Sequence, residues 1–326
     1  MPITLNEMKV GMSDKIAQKV VDIFLRHSEI LQMLPFDNCV SPQGGSTLTY
    51  SYVQKKLPSV AAFRALNTEY TAGAATLEKK TADLKIFGGA FELDRVLKQA
   101  EGQYNNMAFQ MEEKILAATS LFHYTLINGD ATTNVNEFDG LDKMLAGTST
   151  EYGTGSLIDV STAETLKANA DKFYEALQIL IAETGADALL CNARTITKIQ
   201  TLARILGYKT ETEEAFGRKV TSMDGVRLMD LGDHYTVSGT TATANSCVKA
   251  GIARDGGTGL TDIYGVKFDV NDGFHAASLT GNGVIHQYLP DFNAPGAVKK
   301  GEVEMVAACV LKNTKHAGVL RNVKIA

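Results

Sequence analysis

Apolar residues in "SDKIAQKVVDIFLRHSEILQMLPF" recur at helical spacing, with Ile16, Val20, Ile23 and Phe24 on one stripe behind Ser13 and Asp14 as cap candidates. The pattern predicts a helix, then a short one that runs into Pro35. From Ser46 to Gln54 the period drops to two, with Leu48, Tyr50 and Tyr52 on one side and Thr47, Thr49 and Ser51 on the other. That is a strand with one apolar face. Leu84 and Ile86, ahead of Gly88 and Gly89, are the predicted return strand. Between them lie roughly 20 residues of mostly Ala, Thr, Ser, Gly and charged side chains, too poor in apolar bulk for a core of their own. A two-stranded ribbon is marginal alone in water, so this arm must lie against something else, best supplied by another copy of the chain.

The helical period returns in "RVLKQAEGQYNNMAFQMEEKILAATSLFHYTLI", where Tyr104, Met107, Met111, Ile115, Ala118 and Phe122 are spaced by three and four. This predicts one long amphipathic helix, roughly 40 Å in length, stopping at Asn128-Gly129. From Thr150 the rhythm becomes alternately helical and extended. "GSLIDVSTAETLKANADKFYEALQILIAETG" predicts a helix with a Ser161-x-x-Glu164 capping box and a Gly185 stop. "ADALLCN" reads as a buried strand, and "ARTITKIQTLARILG" as a helix ended by Gly207. Strand-sized pieces follow in "VRLMDLGDHYTV", "SCVKAGIA" and "IYGVKFDVND". The tail holds a long strand with Val303, Met305, Cys309 and Leu311 inward and Glu302 and Glu304 outward.

Composition narrows the classes. The 326 residues are 44% apolar and 21% charged, enough for about two domains with a real core. With 37 acidic against 32 basic residues the net charge is -5, and no run of Lys or Arg exceeds two. That leaves no electrostatic footprint for nucleic acid recognition. No apolar signal core and no membrane-length run occur, which implies a soluble chain without a signal peptide. Cys39, Cys191, Cys247 and Cys309 are far apart and read as reduced, buried residues.

Candidate chemistry is sparse. "LINGDATTNVNEFDG" has the Asp and Asn content of a calcium loop, but counting from Asp130 puts Val135 at the sixth position, where the turn requires Gly. The six histidines fall at no metal-ligand spacing; His27 is read as structural. "DGGTGLTD" lacks the ending of a phosphate loop and reads as a turn. In "MDLGDHY", Asp230, Asp233 and His234 could form an acid-base pair, but a Gly-Asp turn with a surface His is the favoured reading. No catalytic residue, cofactor or metal is expected.

Taken in order, these parts resemble the major capsid protein of tailed bacteriophages. The resemblance rests on the amino-terminal arm and helix, the extended loop from Gly45 to Leu93, and the long helix from Lys98 to Ile127 as the spine helix. It also rests on Asn128-Gly129-Asp130 followed by Phe138-Asp139-Gly140-Leu141, and on the closing "GEVEMVAACVLKNTKHAGVLRNVKI" with its Leu320-Arg321 pair. It implies an α+β fold with an arm over 1–44, an extended β-hairpin loop over 45–97 and a spine helix with the first part of a peripheral domain over 98–150. An axial domain over 151–289 and a returning peripheral strand over 290–326 complete it. The polar stretch then links the spine helix to the peripheral domain.

The function so implied is structural: hexamers and pentamers forming an icosahedral head around double-stranded DNA, without sequence-specific contact or membrane, assembled in the host bacterial cytoplasm. Because the arm starts almost at Met1, a separate scaffolding protein is expected, along with a portal and a possible decoration protein. Tyr50, Tyr52, Lys55, Lys56, Arg64, Glu69, Lys79 and Lys80 are the inter-subunit contact candidates on the loop. Some relatives crosslink a loop Lys to a neighbour's Asn; Lys55, Lys56, Lys79 and Lys80 suit this by location only, and none is expected to react. The physical reading agrees, since overlapping arms and a rigid helix suit a closed symmetric shell, and a mildly acidic chain suits a DNA container whose wall must not grip phosphates. The alternatives are an encapsulin, a protein-enclosing compartment of the same fold, and an enzyme using Asp233 and His234.

Overall fold

The computed structural model describes residues 29–40, 47–99, 106–207, 211–215, 218–279 and 284–326. The predicted amino-terminal helix and His27 lie outside them. In chain order the elements begin with α1 (Glu29–Met33), β1 (Phe36–Asn38), β2 (Thr49–Leu57), β3 (Thr76–Asp83) and β4 (Lys85–Asp94). Next come α2 (Arg95–Gln99), α3 (Asn106–Asn128), α4 (Leu141–Leu145), β5 (Glu151–Tyr152) and β6 (Ile158–Asp159). They continue with α5 (Ala163–Ala168), α6 (Ala170–Thr184), β7 (Ala188–Leu190), α7 (Ala193–Leu206), β8 (Glu211–Ala215), β9 (Arg218–Met223) and β10 (Val226–Met229). The last are β11 (Asp233–Ser238), β12 (Thr241–Ser246), β13 (Ala250–Arg254), β14 (Gly257–Val266), β15 (Phe274–Ser278), β16 (Ile285–Tyr288), β17 (Val298–Leu311) and β18 (Ala317–Lys324).

Two sheets organise these pieces. In the smaller, the order is β1-β15-β17-β16, with β4 on the other edge of β17. In the larger it is β5-β18-β14-β7-β10-β9-β8, with β13 on β14 and β6 on β18. The sheets cut across the expected boundary at residue 289. β15 and β16 precede it yet pair with β17, while β18 follows it yet pairs with β14. The physical reason is the apolar run of β17, buried on both faces from Val306 onward, whose backbone is paired by β4 as far as Ala307 and by β15 from there to Leu311. Its first half alternates as expected, with Val303 and Met305 buried and Glu302 and Glu304 half-buried.

The α3 helix lies against the smaller sheet. Met107, Met111, Ile115, Ala118 and Phe122 are all buried, as their spacing predicts. At the centre Phe122 stacks on Phe87 of β4, ring centroids 6.1 Å apart and planes within 9°, with Phe138 at 5.9 Å. Offset-stacked and tilted aromatic pairs of this kind add to the burial term. A second core lies between α6, α7 and the larger sheet, around Phe173, Leu177, Leu180 and Ile199.

Several local expectations are corrected. The partner of β2 is β3; Ile86 belongs to β4 and pairs with β17, while Leu84 falls between β3 and β4 and donates its N–H to the Leu48 carbonyl at 2.8 Å. The arm strand covers Thr49–Leu57, so Thr47 and Leu48 precede it, and Ser46 lies outside the described residues. The helix after Thr150 is two helices parted at Asn169, and its capping box is Thr162 with Thr165. Ser161 is not the cap because Asp159 engages both its N–H and its hydroxyl, at 2.9 and 2.6 Å. In "DGGTGLTD" only Asp255 and Gly256 turn; the rest is β14. Gly185 and Gly207 do end their helices in the left-handed conformation, at φ 61° and 77°.

Candidate functional site

The polar stretch after α3 closes on itself. Gly140 donates its N–H to the Gly129 carbonyl at 2.8 Å. A Cβ on Gly129 would fall 2.2 Å from the Phe138 carbonyl, so no side chain fits. Asp130 and Asp139 face one cation, the Lys143 ammonium, at 2.5 and 2.8 Å. The Lys143 bond, followed by the Thr132 and Thr133 hydroxyls, holds the Asp130 carboxyl well below the usual carboxylate range. A side chain of the chain itself thus sits between these carboxylates and fixes α3 to α4. The carboxyl oxygens of the calcium-like sequence serve the junction.

The contact candidates divide into two groups. Tyr50 and Tyr52 are engaged within their own chain: the Tyr50 hydroxyl donates to Asp37 at 2.6 Å and the Tyr52 hydroxyl to the Leu311 carbonyl at 3.1 Å. They form the root of the arm, together with Gln54, which donates to the Lys312 carbonyl at 2.9 Å. Burial works against the Asp37 carboxylate, but Tyr50, the Asn38 N–H and the Lys312 charge outweigh it and keep the pKa lowered. Lys55, Lys56, Arg64, Glu69, Lys79 and Lys80 are exposed farther out. Glu78 bridges Lys80 at 3.2 Å and Lys56 at 3.8 Å across the ribbon, contacts of small worth in water. Arg64 lies over the Tyr70 ring at 5.3 Å and donates to the Ala65 and Thr68 carbonyls. Beside it Val60, Phe63 and Leu66 are more than four-fifths exposed. These apolar side chains sit on an arm without a core of its own and are left in solvent.

Asp230 and Asp233 line a cleft of about 660 Å³ between α3, α7 and β10, and His234 adjoins it beside Ser120. Asp230 accepts the Gly232 N–H at 3.0 Å, as expected of a Gly-Asp turn. The His234 Nδ1 faces the Ser120 hydroxyl at 3.4 Å, and its ring lies 5.6 Å from that of Tyr124. Among the described residues no ion pair joins it to Asp230 or Asp233. Burial pushes its pKa down. Deeper in the cleft His123 is buried, which lowers its pKa to about 4 against the opposing pull of the Leu231 backbone.

Sequence reasoning missed a buried cluster of charges around Arg321. Arg321 of β18 reaches Asp142 of α4, Glu151 of β5 at 2.9 Å and Asp262 of β14 at 2.8 Å. Arg254 pairs with both oxygens of Asp262 at 3.0 Å, and the Tyr264 hydroxyl donates to Asp142 at 3.0 Å. The available signal was a lone Arg in the otherwise apolar "GVLRNV" and a lone Asp in "LTDIYGV". A buried charge in such a strand requires partners.

With this architecture in view, the comparisons with known proteins are consistent. No family model matches the sequence, and no curated protein matches it. Solved structures do. The holo-SrpI encapsulin complex from Synechococcus elongatus PCC 7942 is 12% identical, with 92% of this chain and 88% of that chain covered and a TM-score of 0.59. The capsid of the native GTA particle is 12% identical over 91% and 90% of the two chains, with a TM-score of 0.56. A chain of Mycobacterium phage Bobi is 14% identical over 92% and 90%, with a TM-score of 0.55. Near-complete coverage on both sides makes the likeness one of whole folds. The chain has the α+β fold common to these phage, capsid and encapsulin structures, with the extended arm and long helix expected from the sequence.

Proposed function

We propose that the chain is a structural shell subunit, copies of which join as hexamers and pentamers into an icosahedral tailed-phage head around double-stranded DNA. The observation that carries this reading is the arm. Residues 49–83 project as a two-stranded ribbon, and the turn region carries Phe63, Leu66 and Val60 in solvent. A ribbon of this kind gains burial only from a neighbour, and a neighbour that reciprocates generates a closed assembly. A separate scaffolding protein, a portal and a decoration protein are the proposed partners, with assembly in the host cytoplasm and no catalytic step. An encapsulin is the second reading, supported by the TM-score of 0.59 to an encapsulin.

The test is to express the chain alone and with its neighbouring gene products, measure mass by light scattering, and image the same samples by negative-stain electron microscopy. Rings, tubes or shells support the shell reading. Nuclease-protected double-stranded DNA inside favours the head, and a protein cargo without DNA favours the compartment. A monodisperse monomer or dimer in every sample overturns both.

A further inference from the structure

His275 lies beneath the root of the arm. It sits in the middle strand of three, on β15 between β1 and β17, paired with Val310, and has no exposed surface. Neither ring nitrogen has a hydrogen-bond partner of good geometry, and the Gly273 backbone offers only a weak one. A buried imidazole left so is costly, because each unsatisfied polar atom forfeits its bonds to water. Its cover is Tyr50 of β2, whose ring meets it edge-on at 5.5 Å. Tyr50 is also the first anchor of the arm, through Asp37. The groups facing the imidazole are therefore Asp37 from β1, Tyr50 from β2, Lys312 from the end of β17 and Asp269 from the turn ahead of β15. Lys312 lies 5.3 Å from the centre of the Tyr50 ring and donates to the Val270 carbonyl at 2.6 Å.

We propose that His275 is a pH-responsive latch on the extended arm: while the imidazole is neutral Tyr50 seats over it, and once it is protonated its need for water lifts the root of β2 from the body. Burial, then the Lys312 charge, lowers the pKa to about 4, against the weaker pull of the Gly273 backbone, Asp37 and Asp269. With Tyr50 lifted the ring is hydrated and titrates near its ordinary value of about 6.5. The docked pKa is the lower one, so the docking contribution is complete above pH 6.5 and is lost as pH falls toward 4. Between pH 7 and 5 the docked-to-lifted ratio drops about twentyfold. Asp37, with its lowered pKa, stays ionised across that window, so its bond to Tyr50 does not titrate away. The latch belongs to the chain itself and does not depend on what a shell encloses.

Hydrogen exchange of the β2 amides in the purified full chain, at pH 7.0 and 5.0 and corrected for intrinsic exchange rates, reads the latch directly. The expected result is a roughly twentyfold loss of protection over 49–57 in the wild type, no comparable loss in β18, and no loss in His275→Phe, which fills the site without titrating. His275→Leu serves if the Phe variant does not fold, and an imidazole titration by NMR must place His275 well below 6.5. Unchanged protection in the wild type, an equal loss in both variants, an equal loss in β18, or an ordinary His275 titration overturns the proposal.

Discussion

Two strands of equal length, β18 and β3, have opposite surroundings. β18 is buried along all but its last residue, with β14 on one side and β5 and β6 on the other. β3 pairs only with β2 and has no buried residue. Both carry cations, yet Arg321 reaches three carboxylates inside the body, whereas Lys79 and Lys80 face solvent. Local sequence made both of them strands; position in the sheet decided what each is worth. The body buries its strands, and the arm adds surface that its own chain leaves in solvent.

The strongest way to break this contrast is to remove the charge inside the body. Arg321→Met leaves Asp142, Glu151 and Asp262 with Arg254 alone, and is expected to cost about 3–5 kcal/mol in urea unfolding. A loss below about 1 kcal/mol would place the cluster with the surface pairs of the arm. Acid is the next lever. His123, lowered to about 4 by burial, contributes stability that is full above pH 6.5 and lost as pH falls. Between pH 7 and 5 it accounts for about 2 kcal/mol, so the urea midpoint of His123→Gln should respond less to pH than that of the wild type. At the border between the regions, Tyr50→Phe removes the bond to Asp37 and should cost about 1 kcal/mol. The change is expected as faster hydrogen exchange in β2, with β18 unaffected. Smallest is the arm's outer turn: Phe63→Ser should leave the unfolding free energy within about 0.5 kcal/mol, while reducing assembly by light scattering. A large loss of stability there would show that the arm packs on its own body.

The parts of the fold legible from sequence are those whose surroundings are local. The α3 stripe from Met107 to Phe122 repeats over about four turns, and one face of a long helix can be read without knowing what it touches. The left-handed stops at Gly185 and Gly207 are likewise backbone properties. Long-range pairing was not legible. β4 and β17 are some 200 residues apart, a separation whose loop-closure cost grows only slowly with length, and nothing local in "KIFGGAFELD" names its partner. The return strand was misread for a related reason. Leu84 and Ile86 are the more apolar choice, but a solvent-exposed ribbon needs no apolar partner, and "TLEKKTAD" is the outer strand. Of the candidate site, the arm and the polar junction were visible as patterns. The engagement of Tyr50 and Tyr52 by Asp37 and Leu311 was not, because those partners come from other strands.

The place of β18 also bears on how the molecule is made. It is an interior strand of the larger sheet, bridging β14 to β5 and β6. During translation β14 leaves the ribosome roughly 50 residues before β18, a delay of about 3 to 10 s at ordinary elongation rates. Throughout that time the gap beside β14 stays open, and Asp142, Glu151 and Asp262 wait for their guanidinium. A truncated nascent chain therefore lacks a finished body, and only completion of the polypeptide closes the larger sheet and neutralises its buried carboxylates.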